Sequence, residues 1–275
     1  MNRSTRASLA AETLTLLEQG EYRTPTGRHV SIRAALEQAI AGTRECEPED
    51  LDALVKSSRE RADEPRETKV SVTSETSLEA GRRLVQQDGR EGVAILNFAS
   101  AKNPGGGFLG GSQAQEESLA RSSGLFPCLD GRAMYAWHKR HRGGPEGPLY
   151  SHRMILSPGV PVLRDDAGAL LEQPWRVAFL TAPAVNAGVA RQRGVDEETI
   201  RRVMAERIAR VFALAADAGV EVLVAGAWGC GVFRNDPDEI AALFESALPA
   251  ARVSEVVFAI PGGGRNHRAF AERFG

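Results

Sequence analysis

Val93-Ala94-Ile95-Leu96-Asn97-Phe98, running through Ala99-Ser100-Ala101-Lys102-Asn103-Pro104 into Gly105-Gly106-Gly107 and on to Gln115-Glu116-Glu117, decides the fold of this chain. The first six residues are a short, nearly continuous apolar run, the mark of a strand buried on both faces. Five glycines then fall within the seven positions 105–111. Glycine costs backbone entropy and offers no side chain to bury. A run of this density points to backbone that must come close to a ligand, often with N–H groups facing it. Two adjacent glutamates follow, and a glycine loop ending in paired acids suggests a site that binds a polar substrate and moves protons on it.

Upstream, Val70-Ser71-Val72-Thr73 alternates like a strand, and Leu78 to Gln87 reads as a helix ended by Asp88-Gly89. A strand–helix–strand order of this length predicts a layered α/β sheet, and ligands in such sheets collect at the C-terminal ends of strands. The glycine loop directly follows one of them. Downstream, helices are expected from Glu116 to Arg121 and from Arg132 to Arg142, and short strands at Met154–Leu156 and Val160–Leu163. A further core strand is expected at Arg176–Thr181, and Glu197 to Ala216 is the longest amphipathic helix. Val222-Leu223-Val224-Ala225 then enters Gly226-Ala227-Trp228-Gly229-Cys230-Gly231-Val232-Phe233, with a helix beginning near Asp236-Pro237. Strand, Gly-x-Gly loop and helix N-terminus suit a pyrophosphate, although the same turn serves plain packing in many α/β proteins. Val256–Ile260 is the last strand, and Pro261-Gly262-Gly263-Gly264 leads into a closing helix.

The N-terminal part reads differently. Helices are expected over 4–19, 31–41 and 48–60, followed by a charged connector from Arg59 to Glu67. The expected organisation is a helical accessory region, 1–65, packed on a catalytic core, 66–275.

Composition narrows the function. Of 275 residues, 42% are apolar and 25% charged, the balance of a soluble globular chain. The net charge of −2 gives no global field of the kind that marks a general nucleic-acid binder. No window approaches the roughly eighteen apolar residues that suggest a membrane span. Three widely spaced cysteines, Cys46, Cys128 and Cys230, argue against a disulfide framework and for a reducing cytoplasm. No metal-ligand spacing stands out, so neither metal nor cofactor is expected. The segment His138-Lys139-Arg140-His141-Arg142 reads either as a solvated helix end or as a local contact for a polyanion.

Taken together, Gly105–Gly107, seven residues, then Gln115-Glu116-Glu117 resembles the signature of poly(ADP-ribose) glycohydrolases. The approach from Asn97 to Pro104, the later Gly229-Cys230-Gly231-Val232-Phe233 and the short helical N-terminal region are similar to the compact bacterial type. The resemblance implies a macrodomain-like fold, a mixed sheet sandwiched between helices. It implies poly(ADP-ribose) and ADP-ribose as ligands, poly-ADP-ribosylated proteins as partners, the DNA damage response as setting, and a monomer without sequence-specific nucleic-acid binding. It also implies that Glu117 is the catalytic acid and that Glu116 bonds ribose hydroxyls. Gly105, Gly106 and Gly107 would lie by that ribose. Asn103 and Gln115 are expected as substrate contacts, and Asn103, like Asn97, reads either as a ribose contact or as a residue that satisfies loop backbone. Gly229, Gly231, Val232 and Phe233 would wrap the diphosphate, and Phe233 would also pack on the distal ribose.

The residue types suit the chemistry independently. Cleaving a ribose–ribose O-glycoside passes through an oxocarbenium-like state and needs a proton for the departing oxygen. A glutamate at its ordinary pKa of about 4.3 is mostly ionised at neutral pH. Burial beside a second carboxylate is expected to raise one member of the pair, with Glu117 as donor. Two other readings stay open: a macrodomain hydrolase that removes mono-ADP-ribose from proteins, and a non-catalytic ADP-ribose reader.

Overall fold

A computed structural model describes residues 1–60, 67–144 and 147–275; the boundary expected near residue 65 falls outside them. In chain order the elements are α1 (Arg3–Gln19), β1 (Glu21–Arg23), β2 (His29–Ser31), α2 (Arg33–Gly42), β3 (Arg44–Cys46) and α3 (Pro48–Glu60). There follow β4 (Lys69–Thr73), α4 (Ser77–Arg82, continued by a π-helical turn to Gln87), β5 (Val93–Phe98), α5 (Gln115–Ser122), α6 (Leu125–Leu129) and α7 (Ala133–Arg140). The C-terminal half contains β6 (Met154–Arg164), β7 (Leu170–Ala182), α8 (Ala187–Gln192), α9 (Glu197–Asp217), β8 (Val222–Ala225), α10 (Pro237–Ala247), β9 (Glu255–Ala259) and α11 (Arg265–Phe274).

Seven strands form one mixed sheet in the order β3-β6-β7-β5-β8-β9-β4. The five from β7 to β4 run parallel, and β6 and β3 are antiparallel additions on one side. β5 lies at the centre, and its side chains alternate between two cores. Ala94 and Leu96 point into the cluster beneath α9, α10 and α11, while Val93 and Ile95 point into the cluster beneath α4 to α6. The continuous apolar run is therefore what a central strand with helices on both faces requires. β8 repeats the pattern with Leu223 and Ala225 on one side, Val222 and Val224 on the other.

Helix ends follow local chemistry. Asn2 caps α1 by accepting from the Thr5 N–H at 2.9 Å, and Gly20, with φ of 70°, closes it in the left-handed region. Asp196 and Asp236 cap α9 and α10, and Pro237 opens α10 where its missing N–H costs nothing.

Two details depart from the sequence expectation. The strands expected at 154–156 and 160–163 are one strand, β6, whose pairing with β7 slips between Ser157 and Val160; Gly159 there has φ of 59°. The N-terminal region also contains strand as well as helix. A β1–β2 hairpin packs Tyr22 against Leu17 and Leu163, and β3 extends the main sheet by pairing with Met154–Leu156. These three-residue strands are too short to carry a readable alternation.

Candidate active site

The C-terminal ends of β4, β5, β8 and β9 open into one cleft of about 540 Å³. Its walls include Thr76 and Ser77 after β4, Phe98 at the end of β5 with Ser100 and Gln115–Glu117 beyond it, Gly229, Gly231, Val232 and Phe233 after β8, and Ile260, Pro261 and Asn266 after β9. The acids that end the first motif and the loop of the second thus meet across one opening, as parallel strands place βα loops on one edge, while Gly105–Gly107 lie outside its lining.

The glycine loop turns through Gly105 and Gly106, with φ of 68° and 63°, values that favour glycine. Asn103 makes the turn with its backbone: its carbonyl accepts from Gly106 N–H at 2.9 Å, and its N–H donates to Ser100 Oγ at 3.2 Å. The Asn103 side chain is exposed and outside the cleft wall. Phe108 is buried against Ala10 of α1 and Ala120 of α5, so the loop is held by packing beneath its apex. Arg3 and Arg6 of α1 hold the apex from outside, donating Nε to the carbonyls of Gly110 and Gly111, each at 2.8 Å.

Both acids press against this backbone. A Cβ on Gly106 would lie 2.5 Å from Glu117 Oε1 and 3.1 Å from Glu116 Oε2. Glu117 is half-buried, and its Oε1 accepts from the Gly107 N–H at 3.0 Å. Glu116 is 3% exposed. Its Oε2 accepts from the Ser100 N–H at 2.6 Å, and its Oε1 lies 3.5 Å from Asn97 Nδ2. Burial pushes the Glu116 carboxyl up to about 8, and Glu117 adds to the effect, against the pull of the Ser100 N–H. The raised acid is thus the inner one: α5 turns by about 100° per residue, carrying Glu116 toward the sheet and Glu117 toward the opening.

Gln115 bonds to the protein on both sides of its amide. Oε1 accepts from the Phe98 N–H at 2.9 Å, and Nε2 donates to the Leu96 carbonyl at 2.7 Å and to Ser77 Oγ at 3.1 Å. It continues the hydrogen bonding of β5 past the strand's end and fixes where α5 begins. Buried Asn97 donates to Thr181 Oγ1 at 3.2 Å, and its Oδ1 finds no partner among the described residues.

In the second loop the two glycines differ. Gly229 has φ of 76°, and a Cβ there would meet Asn235 Nδ2 at 2.5 Å and Ala184 at 2.6 Å, so this glycine serves the turn and its packing. Gly231 faces open space, and Val232 is 82% exposed. Phe233 is half-buried with its ring 6.1 Å from that of Tyr150. Trp228 is core, donating Nε1 to the Ala182 carbonyl at 3.2 Å. Burial pushes the Cys230 thiol up to about 12, which leaves it a poor nucleophile.

Sequence reasoning did not single out Thr76, Ser77, Asn266 or Asp166, although all line the cleft. The first two begin α4 directly after β4, so the strand-end rule could have found them. Asp166 could not have been found this way. It stands in the β6–β7 turn, accepts from Thr76 Oγ1 at 2.8 Å, and burial raises its pKa.

Arg121, 4% exposed, supports the loop from behind. It donates to the Ser112 carbonyl at 3.0 Å and to Gln113 Oε1 at 2.7 Å, and no carboxylate pairs with it among the described residues. Its own carbonyl accepts from Thr13 of α1 at 2.8 Å. Arg121→Met is expected to lower kcat by about 10- to 100-fold with KM nearly unchanged, because the loop facing Glu117 loses its internal brace. Steady-state kinetics beside a thermal melt check this; kcat within twofold of wild type would count against it.

Comparison with known proteins places this geometry. The family model of the microbial-type PARG catalytic domain matches residues 10–165, a span that contains the glycine loop and both acids. The solved poly(ADP-ribose) glycohydrolase of Thermomonospora curvata is 46% identical, covering 99% of this chain and 100% of that one, with a TM-score of 0.87. Its complex with the inhibitor ADP-HPD matches at 47% identity with the same coverage and TM-score. The Deinococcus radiodurans poly(ADP-ribose) glycohydrolase in complex with ADP-ribose is 41% identical, covering 86% of this chain and 96% of that one, with a TM-score of 0.79. No protein of curated function matches.

Proposed function

This chain belongs to the microbial-type poly(ADP-ribose) glycohydrolase family, and from that membership we propose that it hydrolyses the ribose–ribose O-glycosidic bonds of poly(ADP-ribose) and releases ADP-ribose. The observation that carries the reading is the pair of carboxyls flanking Gly106 at one end of the cleft, one sealed in and raised, the other open and bonded to the Gly107 N–H.

In this mechanism the ribose bearing the scissile bond lies over Gly105–Gly107, and the diphosphate lies along Gly231 and Val232. The exposed N–H groups of that loop precede the N-terminus of α10, which favours negative charge. Phe233 packs on the distal ribose. Glu117 gives its proton to the departing 2′ oxygen as the C1″–O bond breaks. Water then attacks C1″ and returns a proton to Glu117. Glu116, with Asn97 beside it, orients ribose hydroxyls; a hydroxyl could also donate to the unpartnered Asn97 Oδ1. Gln115 acts through α5 as a positioning residue, a narrower role than substrate contact. No step calls for a metal. The N-terminal region serves as an accessory unit through its hold on the glycine loop. The setting we propose is a reducing cytoplasm, which suits three free thiols, with polymer on poly-ADP-ribosylated proteins as substrate.

Two measurements test the reading. Purified wild type is expected to release ADP-ribose from polymer; binding ADP-ribose while cleaving nothing would identify a reader instead. The second is independent of activity. Glu116 holds a proton in the folded state between its ordinary pKa of 4.5 and about 8, where the unfolded chain has lost it. More protons bound to the folded state means that stability falls as pH rises through this window. Glu116→Gln removes this titration and leaves the others, those of buried His138 and His152 included, so the wild-type denaturation midpoint is expected to fall relative to that of the variant from pH 5 to 8. The difference is on the order of a few kcal/mol at the upper end. Parallel curves for the two proteins would show that Glu116 titrates normally.

A further inference from the structure

Outside the cleft, a cationic surface begins beside Phe233. The Tyr150 ring next to Phe233 lies 5.6 Å from that of His138, and the neighbouring Trp137 stacks on His141 at 4.0 Å. These rings connect the mouth of the cleft to the C-terminal end of α7, where Lys139, Arg140 and Arg142 are exposed. The end of α8 arrives at the same place. Arg193 donates Nη1 to the carbonyls of Arg142 and Gly144 at 3.1 and 2.6 Å. Arg191 donates to the carbonyl of Arg234, the residue after Phe233, at 2.8 Å.

Three segments far apart in sequence therefore bring Lys139, Arg140, Arg142, Arg193 and Arg234 to one face. Among the described residues none of the five lies within ion-pair distance of a carboxylate. The ion pairs in this region belong to Arg191 with Glu197 and to Arg153 with Glu47. A helix C-terminus accounts for cations in its own last turn, as with Lys139 and Arg140. It accounts likewise for Arg193 at the end of α8 but not for Arg142 or Arg234, which lie beyond the last turn of any helix. In a chain of net charge −2, a local concentration of unpaired cations is a field directed at an anion.

We propose that this face is a track for the part of the polymer that lies outside the cleft, with its diphosphates on Lys139, Arg140 and Arg142. The inference rests on the glycohydrolase reading. Glu117 and Phe233 both line the cleft, and Phe233 is joined through Tyr150 to α7, so polymer that leaves the cleft over that wall reaches the end of α7. Each further unit brings a diphosphate for the cations and an adenine for the exposed face of His141, the alternation used by single-stranded polyanion grooves.

The test is the triple variant Lys139→Ser, Arg140→Ser, Arg142→Ser. It is compared with wild type on long polymer and on a single ADP-ribose unit bearing a small chromogenic alcohol at the scissile position. On long polymer at low salt, kcat/KM is expected to fall about tenfold or more, through KM, with the small substrate unaffected. The dependence of log kcat/KM on log salt is expected to be shallower in the variant by about 2, since fewer counterions are released on binding. Equal rates and slopes on long polymer would overturn the proposal, and so would an equal loss on both substrates. If wild type cleaves neither substrate, the glycohydrolase reading falls instead. The track is then judged by direct binding of long polymer to the two proteins, where equal affinities would refute it.

Discussion

Glu117→Gln is expected to reduce polymer hydrolysis by about 10³-fold while leaving affinity for ADP-ribose within a few-fold of wild type. The substitution is nearly isosteric, and the amide oxygen can still accept from the Gly107 N–H that now holds Glu117 Oε1 at 3.0 Å. Loop geometry and cleft volume are therefore preserved, and only the exchangeable proton is lost. General acid–base catalysis by one positioned side chain is commonly worth 10²- to 10⁴-fold, and here a single carboxyl is assigned both the donation and the later acceptance. Single-turnover assays on polymer, beside ADP-ribose titration by calorimetry, separate the two effects. A variant that keeps wild-type turnover would remove Glu117 from the chemistry. One that loses binding and turnover together would make it a ligand contact instead. Glu116→Gln should behave differently: a buried group that orients hydroxyls affects binding of the ribose as well as rate.

Gly106→Ala is expected to be almost as damaging to turnover, by about 10²-fold, for a steric reason. Its φ of 63° lies in the left-handed region, and its absent Cβ would lie 2.5 Å from Glu117 Oε1 and 3.0 Å from Glu117 Cδ. The added methyl must displace the carboxyl, the loop or both. A shift of about 1 Å at a reacting group is enough for a loss of that size. Gly89→Ala provides the control, because Gly89 has nearly the same φ, 62°, but faces open space far along the chain. Both variants carry a backbone strain of about 1 kcal/mol, so both melt somewhat earlier than wild type, and only Gly106→Ala should lose activity. Equal activities in the two variants would show that Gly106 is required for its backbone conformation alone.

Much of this fold was legible before any coordinates. The burial of Val93–Leu96 on both faces and the start of α10 at Asp236-Pro237 are consequences of local pattern. So is the pairing of a glycine loop with two acids at the end of a strand, because all its parts lie within about two dozen consecutive residues. Elements of three residues, such as β1 to β3, carry too little period to be read, and a bulged strand such as β6 reads as two.

The sequence by itself determined that a glycine loop and two adjacent acids follow a central strand, the residue types that the proposed chemistry needs. Only the tertiary structure decided how those residues are divided between the cleft and its support. Gln115 looked like a substrate ligand, and its amide is engaged by Leu96, Phe98 and Ser77. The two glutamates are equivalent as adjacent letters. They become unequal because the helical turn and the sheet beneath it desolvate Glu116 and leave Glu117 at the opening. Asp166 joins the wall from a hairpin nearly fifty residues beyond the acids, and the basic face at the end of α7 gathers cations from three separate segments. Burial and convergence are properties of everything packed around a residue, so no reading of its immediate neighbours could supply them.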